Sequence, residues 1–216
     1  PKPSSAASDV YKRQGLFRVD FLRIVLDIDH KAIAEYSIEH SKKWDRYTTY
    51  HDHKINYDWM AGLPDREKFE DDIYEAADAF CKRTDRRMID DSMGGKFLKY
   101  WCSIYHEHDQ HGSHNHPNSL IAGTYYPQTA EDSSSICLEA PWQSHIMHDR
   151  LLKDTSTFNY KPNAGDMIMW PSWLFHRVHP QVKTEIPRIC LLYTSPSPRD
   201  QRGASMPSYA FKKKGG

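Results

Sequence analysis

The hydrophobic pattern of the chain changes near residue 95, and the two parts predict different elements. Residues 17–26 alternate loosely between apolar and polar positions, which predicts a strand. Two helices are predicted next, one after Asp29, whose side chain suits an N-cap, and one from Asp65 onward. The polar and aromatic segment 44–63 between them is expected to be a loop. The second helix carries one apolar stripe at helical spacing, formed by Phe69, Ile73, Ala76, Ala77 and Phe80.

After Gly95, short alternating runs are separated by Gly, Pro, Asn and Ser, which is typical of strands joined by turns. The segment HIMHDRLLK (145–153) is expected to be a short helical insert. This many short strands predicts an all-β sandwich or barrel, preceded by two helices. The strand segments are FLKYWCSIYH (97–106), SLIAGTYY (119–126), SSICLEAP (134–141), FNYKP (158–162), DMIMWP (166–171), FHRVHPQV (175–182) and PRICLLY (187–193).

Composition narrows the function classes. The chain has 216 residues, with 29 Lys plus Arg against 29 Asp plus Glu, so nucleic acid and anionic membranes are not expected as partners. No apolar run is long enough for a transmembrane helix, and no signal sequence is recognisable, so a cytoplasmic location is expected. The four cysteines form no CxxC pair and are expected to be reduced. Histidine, with 13 copies, is the unusual count.

Both ends differ from the middle of the chain. The first fourteen residues and the segment from Cys190 onward show little periodicity, and both resemble translated sequencing-adapter sequence. An ordinary disordered tail rich in Ser and Pro is the alternative. We therefore expect one domain over residues 15–189, with its β core at 96–189, and non-native or disordered tails at residues 1–14 and 190–216.

Histidines are concentrated in HGSHNHPN (111–118). His114 and His116 have the same parity, so in an extended strand their side chains point to one side and can share a metal ion. A downstream histidine, His176, shares a strand face with Val178, and two neighbouring strands could bring it beside Arg188. Taken singly, a histidine is more often a surface or hydrogen-bonded residue than a ligand. His106, His108 and His111 are expected in a polar loop, mostly facing solvent.

The segments HNHPNSLIAGTYY and PNAGDMIMWPSWLFHRVHP, with the final PRI, resemble the Fe(II)/2-oxoglutarate-dependent oxygenases. The similar group has the pattern H-x-H-P-x-S-x-x-S-G-x-Y-Y, then G-D-x-x-x-F/W-P-S-W-L-x-H, then R-I-S. The resemblance implies a mainly β fold, a double-stranded β-helix (jelly roll, cupin-like) preceded by the two helices. It also implies Fe(II) and 2-oxoglutarate as cofactors, and hydroxylation of a substrate with release of succinate and CO₂.

The same resemblance assigns site residues. His114, His116 and His176 match the metal ligands, and Arg188 matches the arginine that pairs with the C5 carboxylate of 2-oxoglutarate. A planar guanidinium suits that carboxylate because it donates two parallel hydrogen bonds. One further hydroxyl is expected from Tyr125 or Tyr126, since only one of two successive strand residues faces the cavity. Weaker candidates for cofactor contacts are Asn118 and Ser119.

Two departures from the pattern leave alternatives open. The broad superfamily has a carboxylate where this chain has His116, so the site is either three histidines or is completed by a nearby carboxylate: Glu107, Asp109 or Asp166. Cys190 replaces the serine of R-I-S. A cupin-like three-histidine dioxygenase or isomerase without 2-oxoglutarate is the alternative enzyme, and a non-catalytic β-sandwich is the third reading. The sequence names neither the substrate, whether small molecule or protein side chain, nor the oligomeric state.

Overall fold

The computed structural model describes residues 19–42, 60, 62–84, 99–117, 119–141 and 157–196. In these ranges the chain forms two helices and nine strands, and both predicted helices are confirmed. The elements are β1 (Leu22–Val25), α1 (His30–Ser41), α2 (Arg66–Arg83), β2 (Lys99–Tyr105), β3 (His111–His114), β4 (Ser119–Gln128), β5 (Ile136–Glu139), β6 (Thr157–Tyr160), β7 (Asp166–Pro171), β8 (His176–Val178) and β9 (Arg188–Pro196).

The strands form two antiparallel sheets. The larger sheet has the order β1-β7-β4-β9-β2, and the smaller sheet has the order β3-β8-β5-β6. An apolar core between the sheets joins residues of both, including Trp101 and Leu192 of the larger sheet and Ile136, Leu138 and Val178 of the smaller one. The sandwich places β3 and β8, which carry the predicted metal ligands His114 and His176, in the smaller sheet.

The two helices pack against the other face of the larger sheet. In α1, the Asp29 carboxylate accepts a hydrogen bond from the Ala32 backbone N–H at 2.9 Å, which confirms the predicted N-cap. The predicted stripe of α2 is fully buried there, from Phe69 and Ile73 to Phe80. Neither helix combines the length and the apolar character that a membrane crossing requires.

Two elements differ from the prediction. The first strand, β1, is four residues long and lies beside β7 at the edge of the larger sheet. The segment 111–114, expected as loop, is strand β3, because the backbone of His111 and His114 pairs with β8. The expected loop 44–63 is described only at Met60, Gly62 and Leu63, and the predicted insert 145–153 lies outside the described residues.

The domain boundary predicted after Ile189 does not end the fold. Strand β9 continues to Pro196 and lies between β4 and β2 in the larger sheet. Cys190, Leu191 and Tyr193 are buried in it. The segment 190–193 is therefore part of the fold, because its alternating side chains pack into both cores. The predicted tails at 1–14 and 197–216 lie outside the described residues.

Candidate metal centre

Three of the predicted site residues meet at one point. His114 ends β3 and His176 begins β8, and the two are directly opposite each other in the antiparallel pair. His116 follows two residues later, where its backbone N–H donates to the Ser172 carbonyl at 2.9 Å. One nitrogen of each ring lies within 4.8 Å of the others, which is close enough for a single metal ion to bind all three.

In two of these rings, hydrogen bonds determine which nitrogen keeps a lone pair that can bind a metal ion. The Nδ1 of His114 lies 2.8 Å from the Gly112 carbonyl, and the Nδ1 of His176 lies 3.1 Å from the Leu174 carbonyl. Because a carbonyl oxygen only accepts, each Nδ1 must carry the proton and each Nε2 keeps its lone pair. Both Nε2 atoms are buried without a hydrogen-bond partner among the described residues. Backbone carbonyls orient metal-binding histidines in the same way.

The electrostatic surroundings keep these rings neutral. Burial, together with the neighbouring rings of His114 and His116, lowers the pKa of His176 to about 3, against the opposing effect of the Leu174 carbonyl. Burial also lowers the pKa of His114. A neutral imidazole is the form that binds metal, so the rings need not lose a proton first.

Aromatic rings surround the three histidines. The Trp170 ring is buried and meets the His176 ring edge-on at 4.9 Å between centroids. Trp173 is 41% exposed. The ring of His111 stacks on that of His114 at 3.7 Å and is buried, so its predicted loop position is wrong. Strand pairing with β8 turns His111 inward.

The alternative carboxylates lie elsewhere. Asp166 accepts hydrogen bonds from Arg23 and Tyr160 and from the backbone of Asn163. Asp109 accepts from the His106 backbone N–H at 2.7 Å. The exposed Glu107 pairs with His108 at 3.6 Å. In the part of the chain that the structure describes, the metal-binding cluster therefore consists of histidines alone.

The predicted arginine is buried beside Tyr126. Arg188 is 1% exposed; its Nη1 donates to the Ser134 carbonyl at 2.7 Å and its Nη2 to the Tyr126 hydroxyl at 3.3 Å. Its guanidinium lies 5.4 Å from the Tyr105 ring centre and 5.0 Å from that of Tyr126. No carboxylate among the described residues forms a salt bridge with it. A buried cation without a counter-ion is costly, so this position favours an anionic ligand.

The two tyrosines of β4 face opposite sides of the sheet. Tyr126 lies in the core between the sheets and reaches Arg188. Tyr125 lies on the helix side, where its hydroxyl is 2.6 Å from Nδ1 of His30 and its ring packs on Phe69. The structure therefore brings Tyr126 to the site and not Tyr125. Burial raises the pKa of both hydroxyls, which remain protonated donors.

Of the two weaker candidates, only Ser119 lies in the described part of the chain. The Ser119 carbonyl accepts a hydrogen bond from the Ser172 hydroxyl, which ties β4 to the turn before His176. Asn118 lies outside the described residues. The sequence interpretation missed Tyr105, which lies directly opposite Arg188 in the β2–β9 pair. The alternation of FLKYWCSIYH puts Tyr105 on the same face as Trp101, but register with β9 was needed to find its partner.

Comparison with known proteins gives one family match. Residues 99–193 match the model of a family described as "Putative 2OG-Fe(II) oxygenase". That segment runs from β2 into β9, so it contains most of both sheets and the whole candidate site. Curated proteins gave no match to the chain.

Three solved structures share the fold at low identity. A Pseudomonas putida prolyl-4-hydroxylase is 10% identical with a TM-score of 0.53, over 82% of this chain and 92% of that one. The alpha ketoglutarate dependent epimerase SnoN of nogalamycin biosynthesis is 11% identical with a TM-score of 0.55, over 82% and 77%. A Trichoplax adhaerens prolyl hydroxylase, in complex with a hypoxia inducible factor peptide fragment, is 10% identical with a TM-score of 0.53, over 86% of both chains.

These similarities agree with the sheet topology, and the predicted double-stranded β-helix is confirmed. At such identities the structures establish the fold and not the reaction. The family match covers the three histidines, Tyr126 and Arg188. Residues 99–193 are thus similar to the 2OG-Fe(II) oxygenases, and the three histidines that lie within them fit the iron site that such an enzyme needs.

Proposed function

We propose that this protein hydroxylates a C–H bond of its substrate in an Fe(II)- and 2-oxoglutarate-dependent reaction that releases succinate and CO₂. His114, His116 and His176 bind Fe(II), and Arg188 with Tyr126 binds the C5 carboxylate of 2-oxoglutarate. The observation that carries the proposal is that one sandwich core contains both a cluster of histidine rings and a buried guanidinium, each with polar atoms that the described part of the chain leaves unmatched. Among the described residues, two Nε2 lone pairs have no partner and the buried Arg188 guanidinium has no carboxylate partner.

The donor set fits Fe(II). Imidazole nitrogen is a common ligand of Fe(II), and three ligands leave positions for the co-substrate and O₂. A site of three neutral histidines keeps the full charge of the metal ion, one unit more positive than a site with a carboxylate ligand. Arg188 adds a further positive charge to the same core. Such a site favours a dianion, and 2-oxoglutarate carries two carboxylates.

Fe(II) and 2-oxoglutarate together supply the activation of O₂, and the protein supplies position and electrostatics. Arg188 orients the carboxylate as a planar donor, held in place by the Ser134 carbonyl and between the rings of Tyr105 and Tyr126. The buried side chains of Trp170 and Val178 limit the access of water to the histidines.

The substrate stays outside this proposal. The solved structures with this fold include prolyl hydroxylases and an epimerase, so the fold alone does not select the substrate or the outcome. We expect either a small molecule or a protein side chain. The cupin-like alternative without 2-oxoglutarate gives no role to a buried arginine that lacks a counter-ion.

The test is an anaerobic titration of the metal-free protein, first with Fe(II) and then with 2-oxoglutarate. The visible charge-transfer absorption of the chelated complex is the readout. We expect one Fe(II) per chain and a band that saturates with 2-oxoglutarate, with no band in H176A. The matched control is H179A, since His179 follows the last residue of β8 and its Nε2 lies 3.2 Å from the Asn159 side-chain oxygen.

Each outcome has a distinct meaning. Fe(II) binding without a band at any 2-oxoglutarate concentration would overturn the co-substrate assignment and favour the cupin-like enzyme. Equal Fe(II) binding by the unchanged protein and by H176A would overturn the metal site itself.

A further inference from the structure

A carboxylate on the outer face of the smaller sheet joins three strands. Glu139, the last residue of β5, accepts a hydrogen bond from Nη1 of Arg177 at 2.6 Å and from the Ser113 hydroxyl at 2.9 Å. Arg177 belongs to β8 and Ser113 to β3. We call these three residues the outer clamp. Strand order places β8 between β5 and β3, so the Glu139 side chain reaches across β8 to its far neighbour.

The outer clamp lies directly behind the metal centre. Ser113 precedes His114 in β3, and Arg177 follows His176 in β8, so both clamp residues point away from the ring beside them. On β5, Leu138 lies opposite His176 and Glu139 is the next residue. Each donor to the Glu139 carboxylate is therefore one residue from a proposed metal ligand, on the reverse of the same strand.

In the described part of the chain, strand β3 is paired along one side only. It is an edge strand of four residues, and its only strand partner within the described ranges is β8. The pairing has a register shift between His111 and His114, so regular ladder hydrogen bonds do not run through the strand. A small displacement of β3 along β8 would move the His114 ring relative to the His176 ring.

We infer that Glu139 is a positioning residue, which holds β3 against β8 and so sets the separation of His114 and His176. This inference rests on the proposed metal site. Glu139 does not touch the metal or the substrate; it acts through the backbone of the two strands. The outer clamp fixes the relative position of two strands, as a hydrogen bond to the second ring nitrogen fixes the orientation of a single metal-binding histidine.

A positioning role for Glu139 differs from ordinary stabilisation in the expected sizes of its effects on metal affinity and on folding stability. The Glu139 side chain is 24% exposed and that of Arg177 is 39% exposed, so their ion pair adds little to folding stability. Loss of outer-shell contacts that orient metal ligands lowers metal affinity by about 10- to 100-fold. A positioning role therefore predicts a large change in affinity with a small change in stability.

The experiment is a Co(II) titration of the metal-free full chain, followed by d–d absorption, for the unchanged protein, E139A, E139Q and D78A. D78A is the matched control, because Asp78 pairs with Lys82 at the same 2.6 Å distance on α2, away from the site. We expect Co(II) affinity to fall about 10-fold in E139A, with altered d–d band intensity. Affinity in E139Q should stay near the original, because the amide can accept from Arg177 and donate to Ser113. D78A should have no effect on affinity.

Thermal unfolding of each metal-free variant completes the test. E139A and D78A should unfold within a few degrees of the unchanged protein, so that lost affinity cannot be assigned to an unfolded fraction. Unchanged Co(II) affinity and spectrum in E139A would overturn the inference, and so would an equal loss in D78A. If E139A does not fold, S113A removes one clamp bond alone, and unchanged affinity in S113A would overturn the inference as well.

This result is separable from the proposed function. Absence of Co(II) binding by the unchanged protein contradicts the metal site. Binding that H176A abolishes and E139A leaves intact supports the site and contradicts only the clamp.

Discussion

The two faces of the larger sheet are equally buried but differ in how their polar groups are satisfied. Tyr125 and Tyr126 are successive residues of β4, and neither exposes its side chain. On the helix side, the Tyr125 hydroxyl is matched by a ring nitrogen of His30. On the inner side, Tyr126 faces Arg188, whose charge has no carboxylate partner in the described part of the chain.

The core between the two sheets contains buried polar groups that have no hydrogen-bond partner among the described residues. The Nε2 atoms of His114 and His176 and the indole N–H of Trp170 are buried without a partner among the described residues. Native interiors satisfy nearly all buried polar atoms, so a cluster of exceptions is expected where a ligand completes them. The comparison teaches that the helix-side core serves stability, while the core between the sheets gives up some stability to hold a site.

The largest expected effect follows from replacing the unpaired cation by an apolar side chain. In R188M, 2-oxoglutarate affinity should fall by about 100-fold or more. The substitution removes the guanidinium from a buried, hydrogen-bonded charge pair and leaves the carboxylate of 2-oxoglutarate without its partner. Without 2-oxoglutarate, R188M should be as stable as the unchanged protein or more stable, because a buried charge without a counter-ion is removed. Co-substrate titration of the Fe(II) form and urea unfolding measure the two effects.

R83M is the control for R188M, because Arg83 is exposed on α2 and only loosely paired with Asp20 at 3.9 Å. It should change neither quantity. A marked loss of stability in R188M with unaltered co-substrate affinity would reverse the comparison and make Arg188 a structural residue.

The next effect belongs to the helix side. Gly123 of β4 lies under the ring of Tyr193, and a Cβ at this position would overlap the Tyr193 Cζ and hydroxyl oxygen. G123A should lower the free energy of unfolding by roughly 2 kcal/mol, a typical cost of overpacking in a rigid core. Urea unfolding measures this loss. The folded fraction should keep its Fe(II) affinity, and a selective loss of Fe(II) affinity would show that the two faces are not independent.

A smaller effect distinguishes the two tyrosines themselves. Y126F should weaken 2-oxoglutarate binding by about 5- to 10-fold, as expected for one lost hydrogen bond at a charged group, with little change in unfolding. Y125F should lower the free energy of unfolding by about 1 kcal/mol, because the His30 ring loses its hydroxyl partner, and should leave co-substrate binding unchanged. Equal effects of both variants on 2-oxoglutarate binding would contradict the assignment of faces.

The smallest effect is the pH dependence of folding stability that arises from Asp166, whose hydrogen bonds connect β1, β6 and β7. Burial acts to raise the pKa of Asp166, but hydrogen bonds from Tyr160, the Asn163 backbone and Arg23, together with the Arg23 charge, outweigh it and lower the pKa. A lowered pKa in the folded state adds stability above the unfolded value of about 3.9, and this stability is lost as pH falls through the folded pKa. D166N should therefore be less stable than the unchanged protein at pH 7, by about 1 kcal/mol.

The difference between D166N and the unchanged protein should shrink as pH falls below about 4. Urea unfolding of both proteins between pH 7 and pH 3 measures it, and the comparison cancels the effects of other titrating groups. A difference that stays constant over this range would mean that the Asp166 charge does not contribute.

The sequence by itself determined the periodic elements and the identity of the chemical groups. The apolar residues from Phe69 to Phe80 predict α2, because helical spacing places all of them on one buried face. The alternation around Tyr125 and Tyr126 predicts that one of the two side chains faces the site. His114 and His176 were candidates by residue type and position, and the family resemblance assigned them and Arg188 to the site. These features are local, so they can be read along the chain.

Only the tertiary structure decided the pairings. The choice of Tyr126 over Tyr125, the inward turn of His111 and the partner of Arg188 at Tyr105 depend on which strands lie side by side and in which register. A shift of one residue in register turns every side chain to the other face, and local sequence does not fix that shift for a short strand such as β3. The outer clamp at Glu139 joins residues from three strands, so no motif along the chain contains it.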